Sequence, residues 1–289
     1  MKILITGASG TVGQHVVREL MKKDEKIVAA GTDPKKLLKI FGDGIEAVRF
    51  DFTDKSTFSP ALKDVNRVFL MRPPHLGKPD DLYPFIDAMA GNNIKLVSFL
   101  SLMGVEKNPF PPHHKIEKYI EEAGIPFAHI RPGFFMQNLS GIHSVEIREN
   151  DEILVPAGKS KTSFIDAADI GLAIATVLNN PEKYQNTKHT ITGPEALDYY
   201  EIADILSEVT GRKIEYNKPG FLRYRSHYIK ERGFDKKYVN ITMALYLMTR
   251  LGTAKKITDD FKNITGKAPR SFREFARDNL EAFQKNKGY

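Results

Sequence analysis

Residues 2–13 read Lys-Ile-Leu-Ile-Thr-Gly-Ala-Ser-Gly-Thr-Val-Gly. The apolar run Ile3-Leu4-Ile5 leads into Gly7, Gly10 and Gly13, and Val12, Val16, Val17 and Leu20 follow at helical spacing. This is the pattern of a strand, a glycine turn and a helix. Gly7 suits the sharp bend, Gly10 leaves room for a pyrophosphate, and Gly13 lets the helix pack close to the strand. The free N–H groups and positive end of the helix then face phosphates. The spacing is G-x-x-G-x-x-G rather than the commoner G-x-G-x-x-G. One glycine triplet alone marks only a turn; strand, glycines and helix together predict the start of a nucleotide-binding Rossmann unit.

The rest of the chain continues that pattern. Strands are expected at 2–6, 26–31, 46–50, 67–72, 95–101, 126–131 and 188–192. Helices are expected at 12–23, 34–41, 55–63, 80–92, 113–123, 166–179, 198–210, 236–250, 255–264 and 271–285. Alternating strands and helices predict an α/β fold with a doubly wound parallel sheet. Asp33 before Pro34, Thr53-Asp54, and Ser271 with Glu274 three residues on are helix-start signals. Residues 134–164 leave the pattern, Phe164 to Ile170 re-enter it, and the region after 193 reads as mostly helical. The expected division is a dinucleotide core (1–133 and 165–193) and a smaller substrate lobe (134–164 and 194–289). No internal repeat or low-complexity tract is present.

The chain of 289 residues is 41% hydrophobic and 27% charged, with no cysteine. Disulfides, thiolate catalysis and cysteine metal sites are therefore excluded. No apolar run approaches the length of a membrane span, and the N-terminus enters a strand at once. A cytoplasmic protein without a signal peptide or membrane association is the expectation. The net charge of +7 is uneven: from Lys218 onward seventeen Lys/Arg stand against seven Asp/Glu. That basic region suits either an anionic partner or an ordinary solvated helical surface. No helix-turn-helix signal is present, so direct nucleic-acid binding is not expected.

Several further blocks carry a family pattern. They are Asp51-Phe52-Thr53-Asp54, Leu100-Ser101-Leu102, His113 to Lys118, and Gly124-Ile125-Pro126-Phe127. Arg131-Pro132-Gly133-Phe134-Phe135-Met136-Gln137-Asn138, Phe164 to Ile170 and Thr192-Gly193-Pro194-Glu195 follow, then Thr265-Gly266-Lys267-Ala268-Pro269-Arg270-Ser271-Phe272. With the first glycine block, the chain resembles the atypical short-chain dehydrogenase/reductases. Within them it is most similar to the NmrA-like group that contains the type 2 quinone oxidoreductases. The resemblance implies a Rossmann core with bound NAD(P) and a small C-terminal substrate lobe.

For the cofactor, the expected contacts are Gly7, Ser9, Gly10, Thr11, Val12 and Gly13 in the first turn. Thr32 stands where many relatives carry an arginine for the 2′-phosphate. Asp33 lies at the distance of a ribose-binding acid but reads better as a helix cap, while Lys35 and Lys36 are the nearest cations. That favours NADP(H), with NAD(H) the alternative. The resemblance implies that Asp51 accepts from the adenine amino group, with Phe52 beside the ring, and that Met71, Arg72 and Pro73 pass near the nicotinamide ribose. Pro132, Gly133 and Phe134 complete the cofactor set, and Phe135, Asn138 and Tyr224 are expected toward substrate.

Short-chain reductases use Tyr-x-x-x-Lys on a helix; here that helix reads His113-His114-Lys115-Ile116-Glu117-Lys118, with no tyrosine at the required place. The quinone oxidoreductases of the resembled group carry His-x-x-x-Glu-Lys there, matching His113, Glu117 and Lys118. His113 or Lys118 is expected to help supply the proton, and a carboxylate near the histidine would favour its charged form. Ser101 falls where the family serine polarises a carbonyl. Adjacent His113 and His114 point apart and lack a third ligand, so no metal is expected. The function expected is an NAD(P)H-dependent oxidoreductase passing hydride to a small conjugated carbonyl or quinone-like acceptor. The alternatives are an NAD(P)-binding redox sensor acting through a protein partner, and a nucleotide-sugar epimerase. The oligomeric state is not legible.

Overall fold

The computed structural model describes residues 1–285. Its elements run β1 (Lys2–Thr6), α1 (Gly13–Met21), β2 (Ile27–Gly31), α2 (Pro34–Phe41), β3 (Glu46–Arg49), α3 (Phe58–Leu62), β4 (Val65–Met71) and α4 (Tyr83–Ala90). Next come β5 (Leu96–Leu100), α5 (Pro112–Glu122), β6 (Phe127–Pro132), β7 (Phe134–Phe135), α6 (Gln137–Ser140), α7 (Ser144–Asn150) and β8 (Thr162–Ile165). Then follow α8 (Ala167–Asn179), α9 (Pro181–Tyr184), β9 (Thr187–Ile191), β10 (Ala196–Leu197) and α10 (Tyr199–Thr210). The last are α11 (Phe221–Ser226), α12 (Lys236–Arg250), α13 (Asp260–Thr265), α14 (Phe272–Asp278) and α15 (Leu280–Phe283).

The chain forms two units, 1–132 with 167–191 and 259–267, and 133–166 with 192–258 and 268 onward. The first contains a seven-stranded sheet in the order β3-β2-β1-β4-β5-β6-β9. Every adjacent pair is parallel. The order reverses between β1 and β4, so this is the doubly wound arrangement the alternation predicted. Leu4, Val28, Val68 and Val97 face the apolar layer built on Phe85, Ile86, Ile116 and Ile120. Ile3 and Ile5, one residue out of phase with Leu4, are fully buried too; a strand covered on both faces shows no polar alternation.

On α8, Gly171 touches α1 so closely that a Cβ there would lie 2.4 Å from the His15 Cβ. Residues 259–267, assigned to the lobe by the sequence reading, belong to this first unit: α13 packs on α8 and β9, and the Asp260 carboxylate accepts from the Thr190 N–H at 2.7 Å.

The second unit has its own core, with Tyr199, Tyr216, Tyr224, Tyr228, Phe272, Phe275 and Phe283 buried in it. A small sheet in the order β10-β8-β7 lies here, absent from the expected strand list. Its strands are two to four residues long, too short to show a period. The buried His143 imidazole sits between two phenols, 2.5 Å from the Tyr228 hydroxyl and 2.8 Å from that of Tyr246. Burial pulls its pKa down to about 4. The Tyr228 hydroxyl donates to buried Glu146, which Arg232 and His227 also hold.

Some helices differ from expectation. The helix expected at 55–63 is a 3-10 turn, Lys55–Thr57, followed by α3, where Pro60 sits in the first turn and needs no helical N–H. The one expected at 255–264 starts only at Asp260, and the one over 271–285 breaks at Asn279. The last four residues assigned to the lobe, 286–289, lie outside the described residues.

Substituting Gly171→Ala forces the contact between α8 and α1 apart. Overpacking of this kind costs about 1–3 kcal/mol, so the urea midpoint falls with an unchanged slope; an unaltered midpoint would show that the two helices are free to separate.

Candidate dinucleotide site

The glycine turn meets its expected geometry. Gly7 has φ +59°, and a Cβ on it would lie 2.8 Å from the Met71 sulfur. A Cβ on Gly13 would lie 2.2 Å from the Gly7 carbonyl oxygen, so only glycine lets α1 start this close to β1. The Gly10 N–H donates to the Gly7 carbonyl at 2.9 Å and so closes the turn. The N–H groups of Thr11, Val12 and Gly13 have no protein acceptor among the described residues. No acidic side chain occupies the first turn of α1. The turn is therefore a cradle of free amides at a positive helix end, the arrangement that binds phosphate oxygens. Ser9 and Thr11 are exposed at its rim.

The sequence reading missed Thr6. Its fully buried hydroxyl donates to the Phe69 carbonyl at 3.0 Å and accepts from the Met71 N–H at 3.1 Å. One side chain thus ties β1 to β4 where the strand order reverses. A threonine ending an apolar strand was the available signal.

At the end of β2, Asp33 caps α2 by accepting from the Lys36 N–H at 3.2 Å. Its side chain is thereby committed as a cap, the second of the two roles considered for it. Thr32, Lys35 and Lys36 are exposed, and neither lysine makes an ion pair among the described residues. Past β3, Asp51 Oδ1 accepts from the Thr53 N–H at 2.8 Å and the Thr53 hydroxyl at 2.7 Å. These bonds hold its carboxyl below the usual range. Its second oxygen takes no protein donor among the described residues. Asp54 caps the turn at Lys55–Thr57 instead. Phe52 is not an open platform: it is buried, edge-on to Phe50 at 4.8 Å and Phe85 at 5.7 Å.

Arg72 and Ser101 directly follow β4 and β5, and His113 is the second residue of α5. The Arg72 guanidinium braces its own loop, donating to the carbonyls of Pro73 and Leu76. Its buried Nε has no partner among the described residues, and burial lowers its pKa. Buried His113 Nδ1 and Ser101 Oγ likewise lack a hydrogen bond in good geometry. Arg72 and Ser101 thus stand just past the carboxyl ends of adjacent strands, where open α/β sheets bind ligands, and each carries a buried polar atom with no hydrogen bond in good geometry, as does His113 at the start of α5.

The expected acid chemistry of this helix is corrected by the structure. Glu117 is buried and committed to Arg131, which grips it through Nε at 2.9 Å and Nη2 at 2.5 Å. Burial opposes its charge, but the Arg131 hydrogen bonds prevail and hold its pKa below the usual range. Its charge still favours a protonated His113, as expected, but it is outweighed. Burial instead pulls His113 down to about 3, with the Arg72 charge acting in the same direction. His113 is neutral at ordinary pH and supplies no imidazolium. Arg131 was legible as a charge inside an apolar strand, which requires a buried partner. His114 Nδ1 lies 3.0 Å from the Val105 carbonyl, and Lys118 is exposed.

Glu117, Glu121 and His129 come close enough to share an ion. Their charges are already answered by Arg131 and by Lys188, 2.8 Å from Glu121.

In the second unit, Phe134 and Phe135 form half-buried β7, and Asn138 is half-buried in α6. Gly133 is required by packing, since its Cβ would lie 2.5 Å from the Ser163 carbonyl oxygen. Pro132 ends β6 and is buried. Tyr224, expected to face substrate, is instead in the lobe core, its hydroxyl 2.9 Å from that of Thr242. Its spacing along α11 fits a buried face equally well, which is why pattern alone misassigned it.

The model of the NmrA-like family matches residues 1–220. The chain belongs to the NmrA-like family. Among curated relatives, it is 32% identical to prestalk A differentiation protein A of Dictyostelium discoideum, over 96% of this chain and 92% of that one. It is 28% identical to the NAD(P)H azoreductase of Xenophilus azovorans, over 97% and 99%. Among solved structures, the Escherichia coli NADPH-dependent quinone oxidoreductase QOR2, complexed with NADPH, superposes with a TM-score of 0.87 at 21% identity, covering 96% of this chain and 99% of that one. No described helix is long and apolar enough to cross a membrane.

Replacing Glu117→Gln strands the Arg131 charge in the interior, and breaking a buried pair costs about 3–5 kcal/mol. Because the Glu117 pKa is lowered on folding, its contribution is present above its ordinary value of 4.5 and is lost as pH falls through the folded value. The stability gap between wild type and E117Q in urea therefore narrows below that pH. A gap that stays constant into strong acid would show that Glu117 is not held ionised.

Proposed function

We propose that this protein is an NAD(P)H-dependent oxidoreductase that reduces a small conjugated carbonyl or quinone-like acceptor. The observation that carries the reading is the amide cradle at Gly7–Gly13 together with the buried atoms Arg72 Nε, Ser101 Oγ and His113 Nδ1, which lack a hydrogen bond in good geometry among the described residues. The names of the relatives point the same way, toward reductases of azo compounds and quinones. The nicotinamide, when bound, supplies the hydride.

The remaining roles fall to residues of this chain. Thr11, Val12 and Gly13 hold the pyrophosphate through backbone amides, with Gly7 shaping the bend, Gly10 leaving room beside it and Ser9 at the rim. Asp51 offers its free oxygen to the adenine amino group, and the backbone at Phe52 borders that ring. Met71, Arg72 and Pro73 border the nicotinamide ribose, with Pro132, Gly133 and Phe134 completing the set. Ser101 and neutral His113 donate hydrogen bonds to the acceptor oxygen and stabilise the negative charge that develops there. Phe135 and Asn138 contact the acceptor. Lys118, an exposed cation of that helix, is left to carry a proton, since Glu117 is spent on Arg131.

For the cofactor, Lys35 and Lys36 support NADP(H). They stand unpaired in the first turn of α2, beside Thr32 and an Asp33 already used as a cap.

Oxidation of NADPH with a panel of benzo- and naphthoquinones tests the assignment; tight NADPH binding with no acceptor reduced would leave the sensor reading instead. Changing Lys35 and Lys36 together to Ala weakens NADPH by roughly ten- to a hundredfold and leaves NADH nearly unchanged. Equal loss for both cofactors would make the lysines mere solvated surface. His113→Gln lowers kcat without removing any step in the pH profile between 5 and 8, because a group titrating at about 3 does not change charge there. A step near 6.5 that vanishes in H113Q would restore the imidazolium acid.

A further inference from the structure

Among the described residues, eleven large apolar side chains are exposed, and seven of them fall between 222 and 257. On α12, Ile241, Leu245 and Met248 recur at i, i+4 and i+7 on the outer side, with Leu247 beside them. The inner side of the same helix buries Val239, Tyr246 and Thr249. The exposed stripe continues past the helix end into Leu251, which is 70% exposed. Helix α11 runs antiparallel alongside: Arg225 Nε donates to the Asn240 side chain at 3.2 Å, and the Arg250 guanidinium lies 4.5 Å from the Phe221 ring centre. That pairing places Leu222, 85% exposed, toward the Leu251 end of the stripe. Monomeric soluble proteins rarely leave so contiguous an apolar face open.

The charges around this face select its occupant. Between Lys218 and Ile257 ten Lys/Arg stand against two Asp/Glu. Lys236 and Lys237 lie at one end of α12, and Lys255 and Lys256 beyond the other. All four are exposed and without an ion pair among the described residues. A second copy of this chain fits poorly. Two α12 helices packed antiparallel oppose the first lysine pair to the second, and packed parallel they oppose each pair to itself; like charges meet either way. The face is the outer side of a helix with exposed leucines.

We propose that α12 and the adjoining tip of α11 form a docking surface for an anionic lipid bilayer, α12 lying in the interfacial plane. Its apolar stripe enters the headgroup boundary and the lysines at both ends meet lipid phosphates. The missing transmembrane run, from which no membrane contact was expected, does not bear on a helix that lies flat.

The test is co-sedimentation of the full-length protein with phosphatidylcholine vesicles, with and without 30% phosphatidylglycerol. Binding is expected only with the anionic lipid, and it weakens as salt is raised. The double variant Leu245→Glu/Met248→Glu, altered only at exposed positions, lowers the partition coefficient more than tenfold. It keeps the wild-type urea midpoint and the wild-type rate with a water-soluble quinone. Absence of binding to anionic vesicles overturns the proposal, as does binding that the double variant leaves intact. A dimer in light scattering that the same variant dissolves overturns it in favour of self-association.

Discussion

The 2.2 Å between the Gly7 carbonyl oxygen and a Cβ placed on Gly13 is the tightest constraint in the first unit's turn. It fixes where α1 starts, and therefore where the free amides of Thr11 to Gly13 point. The same turn is clamped from the other side by the Met71 sulfur against Gly7 and by the Thr6 hydroxyl spanning β1 and β4. These contacts lie where β1 hands the sheet to β2 on one side and β4 on the other. A parallel sheet that reverses its order there leaves a crevice outside the strand ends. The packing requirement of the glycines and the phosphate-binding capacity of the turn are thus one geometric fact.

Buried charge governs the chemistry beyond β5. In sequence Glu117 stands four residues from His113 on α5, yet its strong ionic partner comes from β6. Arg131 takes Glu117 in a two-pronged grip, and such a pair tolerates burial because donors and acceptors match in number and plane. Burial outweighs the pull of the Glu117 carboxylate toward a charged His113, and the nearby Arg72 discourages protonation further. The helix therefore presents hydrogen-bond donors rather than a titrating acid. Stabilising charge on an acceptor oxygen requires only that the donors be held in place before the reaction begins.

The fold was legible because its signals are periodic and repeated: seven strands, the glycine turn, and the caps at Asp33 and Ser271 all stand in the sequence. The small sheet was not, since strands as short as Phe134–Phe135 and Ala196–Leu197 carry no period. Site residues were legible where backbone geometry decides their role, as for Gly7 and Gly13. They were illegible where tertiary partners decide it. Glu117 and Tyr224 have the right types at the right spacing, but Arg131 lies fourteen residues from the one and Thr242 eighteen from the other. Spacing along one element cannot report a competitor from another.

The same distinction resolves the basic C-terminal region. Its formal excess is not spread over the surface as charge. Arg223 pairs with Glu152, Arg232 with Glu146, Arg270 with Asp166, Arg273 with Glu208 and Lys285 with Asp151. Those cations are spent within the lobe on acids from earlier in the chain. Lys236, Lys237, Lys255 and Lys256 have no such partners among the described residues, and they flank α12, whose outer face is apolar. On this surface unpaired cations and exposed leucines occur together.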